Sequence, residues 1–392
     1  KKNFRKSIKY YCRLFKKFFM NVIIIVGSIL FVVLGSVFFN VMRIKKRKKA
    51  KGIKAFTLKY KTIKIGVVGA GEMGTKLTGL AEKAGAKIVA VHDINLKAAE
   101  KLASVYKGAV VTNNMDKLFD VPMDGLIVSA IPTVRVDPIK RACKKNIHLL
   151  IEKPPAHNLK DGRECLAAIK KSGVMAAVGL QLRYDPRYEK LKQLLKGQVV
   201  HMVRTVTTIN FYLDLNMAPW FLQNKISGGP ITDQAIHLLD CVRYVLNNPK
   251  PTRATSIAIK NMALDREEFD SENAIQLMYQ LDNGVIGVHT NHCGHEKTYF
   301  DLEFIGPNLR IKADMTESTI SGIIHGKEIN ETPPKINKLG GLNKVDSWLK
   351  AIDTGNRGYI RSDYAEALNT QALVDAAIKS QTTQRVEVAE KI

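Results

Sequence analysis

The 392 residues are enough for two domains with full cores, and a composition 45% hydrophobic and 25% charged is that of a folded chain, which excludes a disordered one. A formal net charge of +25 would point to nucleic acid if it were spread evenly, but residues 1–61 hold eighteen Lys and Arg and no Asp or Glu, which leaves +7 for all that follows. Cys12, Cys143, Cys165, Cys241 and Cys293 are an odd number without a Cys-x-x-Cys pair, so neither a disulfide framework nor a structural zinc site follows.

In residues 1–19, Phe4, Ile8, Tyr11, Phe15 and Phe18 recur at steps of four and three while Lys and Arg fill most of the other face. That pattern predicts a basic amphipathic helix on a membrane surface. Residues 20–42 contain no charge and are rich in Ile, Val, Leu and Phe, a length that crosses a hydrocarbon core of ~30 Å, so a transmembrane helix is expected. Residues 43–61 then read as a basic juxtamembrane linker against anionic lipid head groups. Basic residues flank the apolar stretch on both sides, and a single span can place only one side in the cytoplasm. The expectation is a single-pass membrane protein, with more spans if chain precedes Lys1. Residues 43–392 would face the cytoplasm, where NAD is available; the bilayer is a partner and nucleic acid is not.

From residue 62 buried runs alternate with helical stretches: Ile63 to Val68, Ile88 to Val91, Ala109 to Val111, Gly125 to Ala130, His148 to Ile151 and Met175 to Val178. Alternation of this kind argues a Rossmann, doubly wound parallel sheet, here over residues 62–181. Gly69, Gly71 and Gly74 follow the first run in Gly-x-Gly-x-x-Gly spacing, with Glu72 and Met73 between the last two. The first glycine permits a tight turn, the second lets the backbone approach a pyrophosphate, and the third lets the next helix pack on the strand. Asp93 ends the second run about 20 residues on, where a carboxylate accepts hydrogen bonds from an adenosine ribose. It favours NAD, while Lys97 keeps NADP open as a partner for a 2′-phosphate. Ligands in such a sheet sit outside the carboxyl ends of the strands, which makes Ala130, Ile131, Pro132, Glu152 and Lys153 cofactor-site candidates.

Glu152-Lys153-Pro154 after His148–Ile151, together with the glycine turn, Asp93 and Ala130-Ile-Pro132, resembles the Gfo/Idh/MocA family, that of glucose-fructose oxidoreductase and inositol 2-dehydrogenase. Gly179-Leu-Gln-Leu-Arg-Tyr184 is similar to that family's crossover into its second domain. Ser227-Gly-Gly-Pro-Ile-Thr-Asp233-Gln-Ala-Ile-His237-Leu-Leu-Asp240 is similar to its glycine-rich turn and its helix with Asp-x-x-x-His. Two departures concern the substrate pocket: Pro230 stands at the third glycine of that turn, and no polar match follows Pro132 among Val134, Arg135 and Val136.

The resemblance implies an α+β domain with an open, mostly antiparallel sheet over residues 182–392, which the alternating runs 274–279, 285–290 and 300–305 suit. It implies an NAD(P)-dependent dehydrogenase or reductase acting on a sugar, polyol or nucleotide-sugar, assembled as a homo-oligomer through the C-terminal sheet. His237 would be the acid/base, Lys153 would orient the substrate and relay the proton, and Asp233 would hold a substrate hydroxyl. A histidine with a pKa near 6.5 suits proton exchange with an alcohol. Arg183, at the domain junction, and Trp220, before the Gly-Gly turn, complete the expected substrate contacts. His289, His292 and His295 near Cys293 read as sheet and loop histidines, because steps of three on a strand alternate faces, and no metal is expected. The rival reading is a catalytically silent dinucleotide sensor at the membrane.

Overall fold

The computed structural model describes residues 60–210, 219–260, 270–334 and 340–392. The first sheet consists of β1 (Lys64–Val68), β2 (Lys87–His92), β3 (Val110–Thr112), β4 (Gly125–Val128), β5 (His148–Ile151) and β6 (Ala176–Val178). The strands are parallel in the order β3-β2-β1-β4-β5-β6, so the winding reverses between β1 and β4. Helices cover both faces, which is why β1, β4 and β5 are continuous apolar runs instead of alternating ones. They are α1 (Glu72–Ala84), α2 (Leu96–Ala103), α3 (Met115–Phe119), α4 (Val136–Lys144) and α5 (Leu159–Ser172). Asparagines at 95, 114 and 158 cap α2, α3 and α5 by accepting main-chain N–H groups.

After α6 (Pro186–Leu195) the second sheet begins. Its strands are β7 (Met202–Asn210), β8 (Pro251–Lys260), β9 (Glu272–Leu281), β10 (Ile286–His292), β11 (Gly294–Gly306), β12 (Leu309–Asp314), β13 (Thr319–Ile324), β14 (Lys327–Glu331) and β15 (Glu387–Val388). They run β14-β13-β12-β11-β7-β10-β9-β8-β15, antiparallel except for the β7/β10 pair. Helices α7 (Ile236–Val245) and α9 (Tyr364–Thr383) pack on one face of this sheet.

The expected boundary at 181/182 is bridged from the far end of the chain. Helix α8 (Gly340–Thr354) packs on α1, and the ring of its buried Trp348 fills the space over Gly125, where a Cβ would lie 2.8 Å from the indole. Tyr60 is buried beside it, its hydroxyl 3.3 Å from Asp346 Oδ1, so the basic linker ends earlier than residue 61.

The reading of the chain as a single-pass membrane protein is corrected. Among the described residues no helix is long and apolar enough to cross a membrane. Residues 1–19, 20–42 and nearly all of 43–61, on which the anchor and the lipid contact rested, lie outside the described residues.

His289 on β10 is fully buried, with Nδ1 2.8 Å from Thr205 Oγ1, and burial pushes its pKa down to about 3. The unfolded chain binds this proton near 6.5, so the unfolded state gains protons first as pH falls and stability drops between about pH 6.5 and pH 3. The slope from this one residue is up to about 1.4 kcal/mol per pH unit. His289→Gln should therefore lose about 2 kcal/mol less than the wild type between about pH 6.5 and pH 5, read by urea unfolding at the two values.

Candidate active site

The three glycines after β1 differ in what surrounds them. Gly69 has a φ of +95°, and a Cβ there would lie 2.6 Å from the Ala130 nitrogen at the exit of β4. At Gly74, inside the first turn of α1, a Cβ would lie 1.9 Å from the Gly69 carbonyl oxygen. Packing demands glycine at both. Gly71 is the N-cap of α1, without a side-chain cap, and nothing lies within 4 Å of the place a Cβ would take. Open space in front of the unpaired N–H groups of a helix start is what a pyrophosphate requires. Glu72 is exposed and Met73 half-buried at its rim.

Asp93 closes the other side of that space. Its Oδ2 accepts the Ala70 N–H at 2.6 Å and its Oδ1 accepts that of Asn95 at 2.8 Å, so the carboxylate is fixed at the mouth of the glycine turn. Ser129, at the end of β4, donates to the carbonyls of Val68 and Gly69 at 3.1 and 2.8 Å, which locks the β1 and β4 exits side by side. Ala130 and Ile131 are half-buried there and Pro132 opens a short 3-10 turn.

The exit of β5 is held by cations. Arg135, buried, donates from Nε to the Ala130 carbonyl at 2.7 Å and from one terminal nitrogen to the carbonyls of Glu152 and Pro154. Burial pushes its pKa down to about 10, against the opposing pull of Glu152. The position thus does carry a polar group after Pro132, but it points into the protein and ties β4 to β5. Glu152 is buried; desolvation raises its pKa, but Lys344, Lys153 and Arg135 together outweigh it, and the carboxyl ends below its ordinary value.

The ammonium of Lys153 reaches across to the second unit of the site, donating to the Asp233 carbonyl at 3.0 Å and to its carboxylate Oδ1. Asp233 lies in a π-helical turn, Ile231–Ala235, that leads into α7, and Gln234 donates to its Oδ2. A π turn at the start of this helix replaces the regular α-helical geometry expected for Asp233 and His237, and such turns recur at functional sites. Gly228 and Gly229 precede it with φ of +80° and +73°, against Thr232 and Asn224. His237 follows on α7, its Nδ1 buried and without a protein partner among the described residues. Burial first, then the charges of Lys153 and Lys344, hold its pKa well below 6.5. Lys153, Asp233 and His237 are thus brought together.

Two expected substrate contacts fare differently. Arg183 is corrected: it is fully buried, its Nε and Nη2 make a bidentate pair with Asp240 at 2.7 and 2.6 Å, and Nη1 is taken by Asn248 and the Arg361 carbonyl. A guanidinium so committed and fully buried joins chain segments and is out of a substrate's reach. Trp220 is 37% exposed, stacked edge-on to Phe221, so it is not a core tryptophan.

The π turn packs on β10 and α7 on β7, and these strands bury polar residues there, Thr205 and Thr207 on β7 and His289 and Asn291 on β10. Thr207 Oγ1 and Asn291 Oδ1 are buried without a protein partner among the described residues, and the two residues are register neighbours. The Asn291 amide donates to Cys293 Sγ at 3.4 Å, and Cys293 lies close enough to Asp233 and Lys153 to feel their charges. Arg135, Lys344, Thr207 and Asn291 escaped the sequence reading. A signal existed for Lys344, a charge four residues before Trp348 on the apolar stripe of a helix, and for Thr207 and Asn291, polar groups at inward strand positions. Among the described residues no group of three His, Cys, Asp or Glu is placed to hold a metal.

Residues 63–180 match the Gfo/Idh/MocA description "oxidoreductase family, NAD-binding Rossmann fold", and residues 192–389 match its "C-terminal alpha/beta domain". Inositol 2-dehydrogenase of Rhizobium meliloti is 25% identical over 338 residues, 83% of this chain and 98% of that protein. Glucose-6-phosphate 3-dehydrogenase of Bacillus subtilis is 25% identical over 283 residues, 69% of this chain and 79% of its own. Levoglucosan dehydrogenase in complex with NADH shares the fold, with a TM-score of 0.74 at 15% identity over 84% of this chain and 100% of that one.

The glycines generate a separable test. Gly71→Ala should keep stability within about 0.5 kcal/mol of wild type while weakening NADH binding by ~10-fold or more, because its methyl enters empty space that a pyrophosphate needs. Gly74→Ala should weaken binding and also cost about 1–3 kcal/mol through overpacking. Fluorescence titration with NADH and thermal unfolding check both.

Proposed function

Since the chain belongs to the Gfo/Idh/MocA family of NAD-dependent oxidoreductases acting on CH–OH groups, we propose that its substrate is a sugar, polyol or nucleotide-sugar and that Lys153, Asp233 and His237 do the chemistry. The observation that carries the assignment is the meeting of the three side chains: the Lys153 ammonium bonds Asp233, and its charge reaches the buried His237 ring. The substrate class is supported by relatives named as dehydrogenases of inositol, a glucose phosphate and levoglucosan.

The residues fit the cofactor: the open space at Gly71, the α1 N-terminus and fixed Asp93 would hold its pyrophosphate and ribose, with Ala130–Pro132 and the Glu152–Lys153 turn toward the nicotinamide. When bound, NAD accepts the hydride from the carbinol carbon. His237, kept neutral by its surroundings, takes the hydroxyl proton on a ring nitrogen, and in the reverse direction returns it. The Lys153 ammonium donates a hydrogen bond to the reacting oxygen, and Asp233 holds both that ammonium and a neighbouring hydroxyl. A silent sensor would have no use for an ammonium, a carboxylate and a neutral imidazole gathered at one place.

The outward face of the second sheet supports a homo-oligomer. Ile257, Met278, Ile286 and Met202 are exposed on adjacent strands β8, β9, β10 and β7, a contiguous apolar face of the kind that marks association. Ile257→Glu with Met278→Glu should reduce the sedimenting mass to that of one chain; an unchanged mass would place the contact elsewhere.

His237→Ala should lower kcat by ~10²- to 10⁴-fold while NADH affinity stays nearly unchanged. Lys153→Ala should lower kcat and disturb cofactor affinity as well, and Lys153→Arg should not restore either, because a planar fork does not replace a compact ammonium paired to Asp233. Steady-state kinetics over a panel of sugars, polyols and nucleotide-sugars, with separate NADH titrations, tests the assignment; near wild-type kcat in His237→Ala would remove the acid/base role from it.

A further inference from the structure

Behind Lys153 stands a second lysine that no part of the chemistry so far uses. Lys344, near the start of α8, is 3% exposed. Its Nζ donates to Glu152 Oε1 at 2.6 Å and to the Gly179 carbonyl at 3.3 Å. The other oxygen of the same carboxylate, Oε2, accepts the main-chain N–H of Lys153 at 3.1 Å. Gly179 makes room for this, since a Cβ there would lie 2.8 Å from Glu152 Oε1. Lys344 thus grips the turn that carries Lys153 from 191 positions further along the chain.

We propose that Lys344 is a positioning residue of the reaction: acting through the Glu152 carboxylate, it fixes the main chain at Lys153 so that the Lys153 ammonium points at Asp233. This rests on the catalytic assignment above and extends it to a residue that touches none of the reacting atoms. The reasoning is electrostatic as well as geometric. Glu152 and Lys344 are both almost fully buried, so neither can be left alone without a large penalty. A Glu152 carboxylate released from Lys344 has the Lys153 ammonium as its nearest alternative partner, and taking it would draw that ammonium off Asp233.

Lys344 also adds charge to the setting of His237. The cations that act on His237 are Lys153, from the β5 turn, and Lys344, from α8. Asp233 lies one turn earlier on its own helical segment, and Glu152 and Arg135 stand behind the two lysines. On the sheet side the nearest titratable groups are Cys293 and Glu272. Removing Lys344 alone takes away a positive charge and should raise the His237 pKa; removing the charge of Glu152 along with it restores the balance.

The experiment uses the full chain, as wild type, Lys344→Met and the double variant Lys344→Met/Glu152→Gln. The His237 ring resonances are followed against pH by NMR, which needs no substrate, and kcat and KM are measured with any substrate that turns over. In Lys344→Met the ring pKa should rise and kcat should fall by ~10-fold or more with KM little changed. In the double variant the ring pKa should return toward the wild-type value while kcat stays low, since nothing pins the turn. A merely structural role would lower the melting temperature and leave kcat of the folded protein where it was, since the lost charge by itself moves the ring pKa. A folded Lys344→Met with wild-type kcat overturns the proposal, whatever its ring pKa. If Lys344→Met does not fold, the double variant decides, because it leaves no unpaired charge, and wild-type kcat in it overturns the proposal. Absence of turnover in the wild type with the ring shifts intact would count against the substrate class alone.

Discussion

Charge balance among buried and half-buried ionic groups is the constraint on which the site depends. Three cations, Arg135, Lys153 and Lys344, crowd the turn after β5, and two carboxylates, Glu152 and Asp233, oppose them. Each ion is costly to bury and the pairs are sound only when their geometry is complete, so their positions are fixed from four directions: the β4 exit, the β5 exit, α8 and the π turn before α7. Burial first, then the charges of Lys153 and Lys344, keep the His237 imidazole neutral. Its protonation state is thus a property of its surroundings and not of the histidine alone.

What was legible in the sequence is what short stretches determine. The strands of the first sheet fell within a residue or two of the buried runs, because a strand covered on both faces must be apolar throughout. The glycine turn was legible because sterics leave no other residue at Gly69 and Gly74. Glu152-Lys153-Pro154 and Asp-x-x-x-His were readable as motifs, and the fold brings their side chains into contact from 80 residues apart. Arg135 and Lys344 were not, since each becomes meaningful only through a partner supplied by a distant segment. Arg183 shows the same limit from the other side: a charged residue at a junction reads as available until Asp240, 57 residues on, is found to occupy it.

The second sheet divides its labour by face. Strand alternation made β10 recognisable within residues 285–290 while β7 escaped it, and alternation says only that Thr205 and Thr207, or His289 and Asn291, share the inward side of their strand. Tertiary packing then splits this column. Thr205 Oγ1 lies 2.8 Å from His289 Nδ1, while the Asn291 amide bonds Cys293, which is near enough to Asp233 and Lys153 to feel their charges. A strand position therefore tells that a polar side chain is buried but not which partner it meets.

The charges of the site are confined to the turn after β5 and the π turn before α7. A cation or carboxylate that met every substrate hydroxyl would hold ground state and transition state alike and would gain nothing in rate. In the proposed mechanism the confined charges would meet only the oxygen whose charge changes during hydride transfer, where preorganised dipoles and ions act most strongly. Lys344 would serve the same end without touching the substrate, through the Glu152 carboxylate and the Lys153 main-chain N–H.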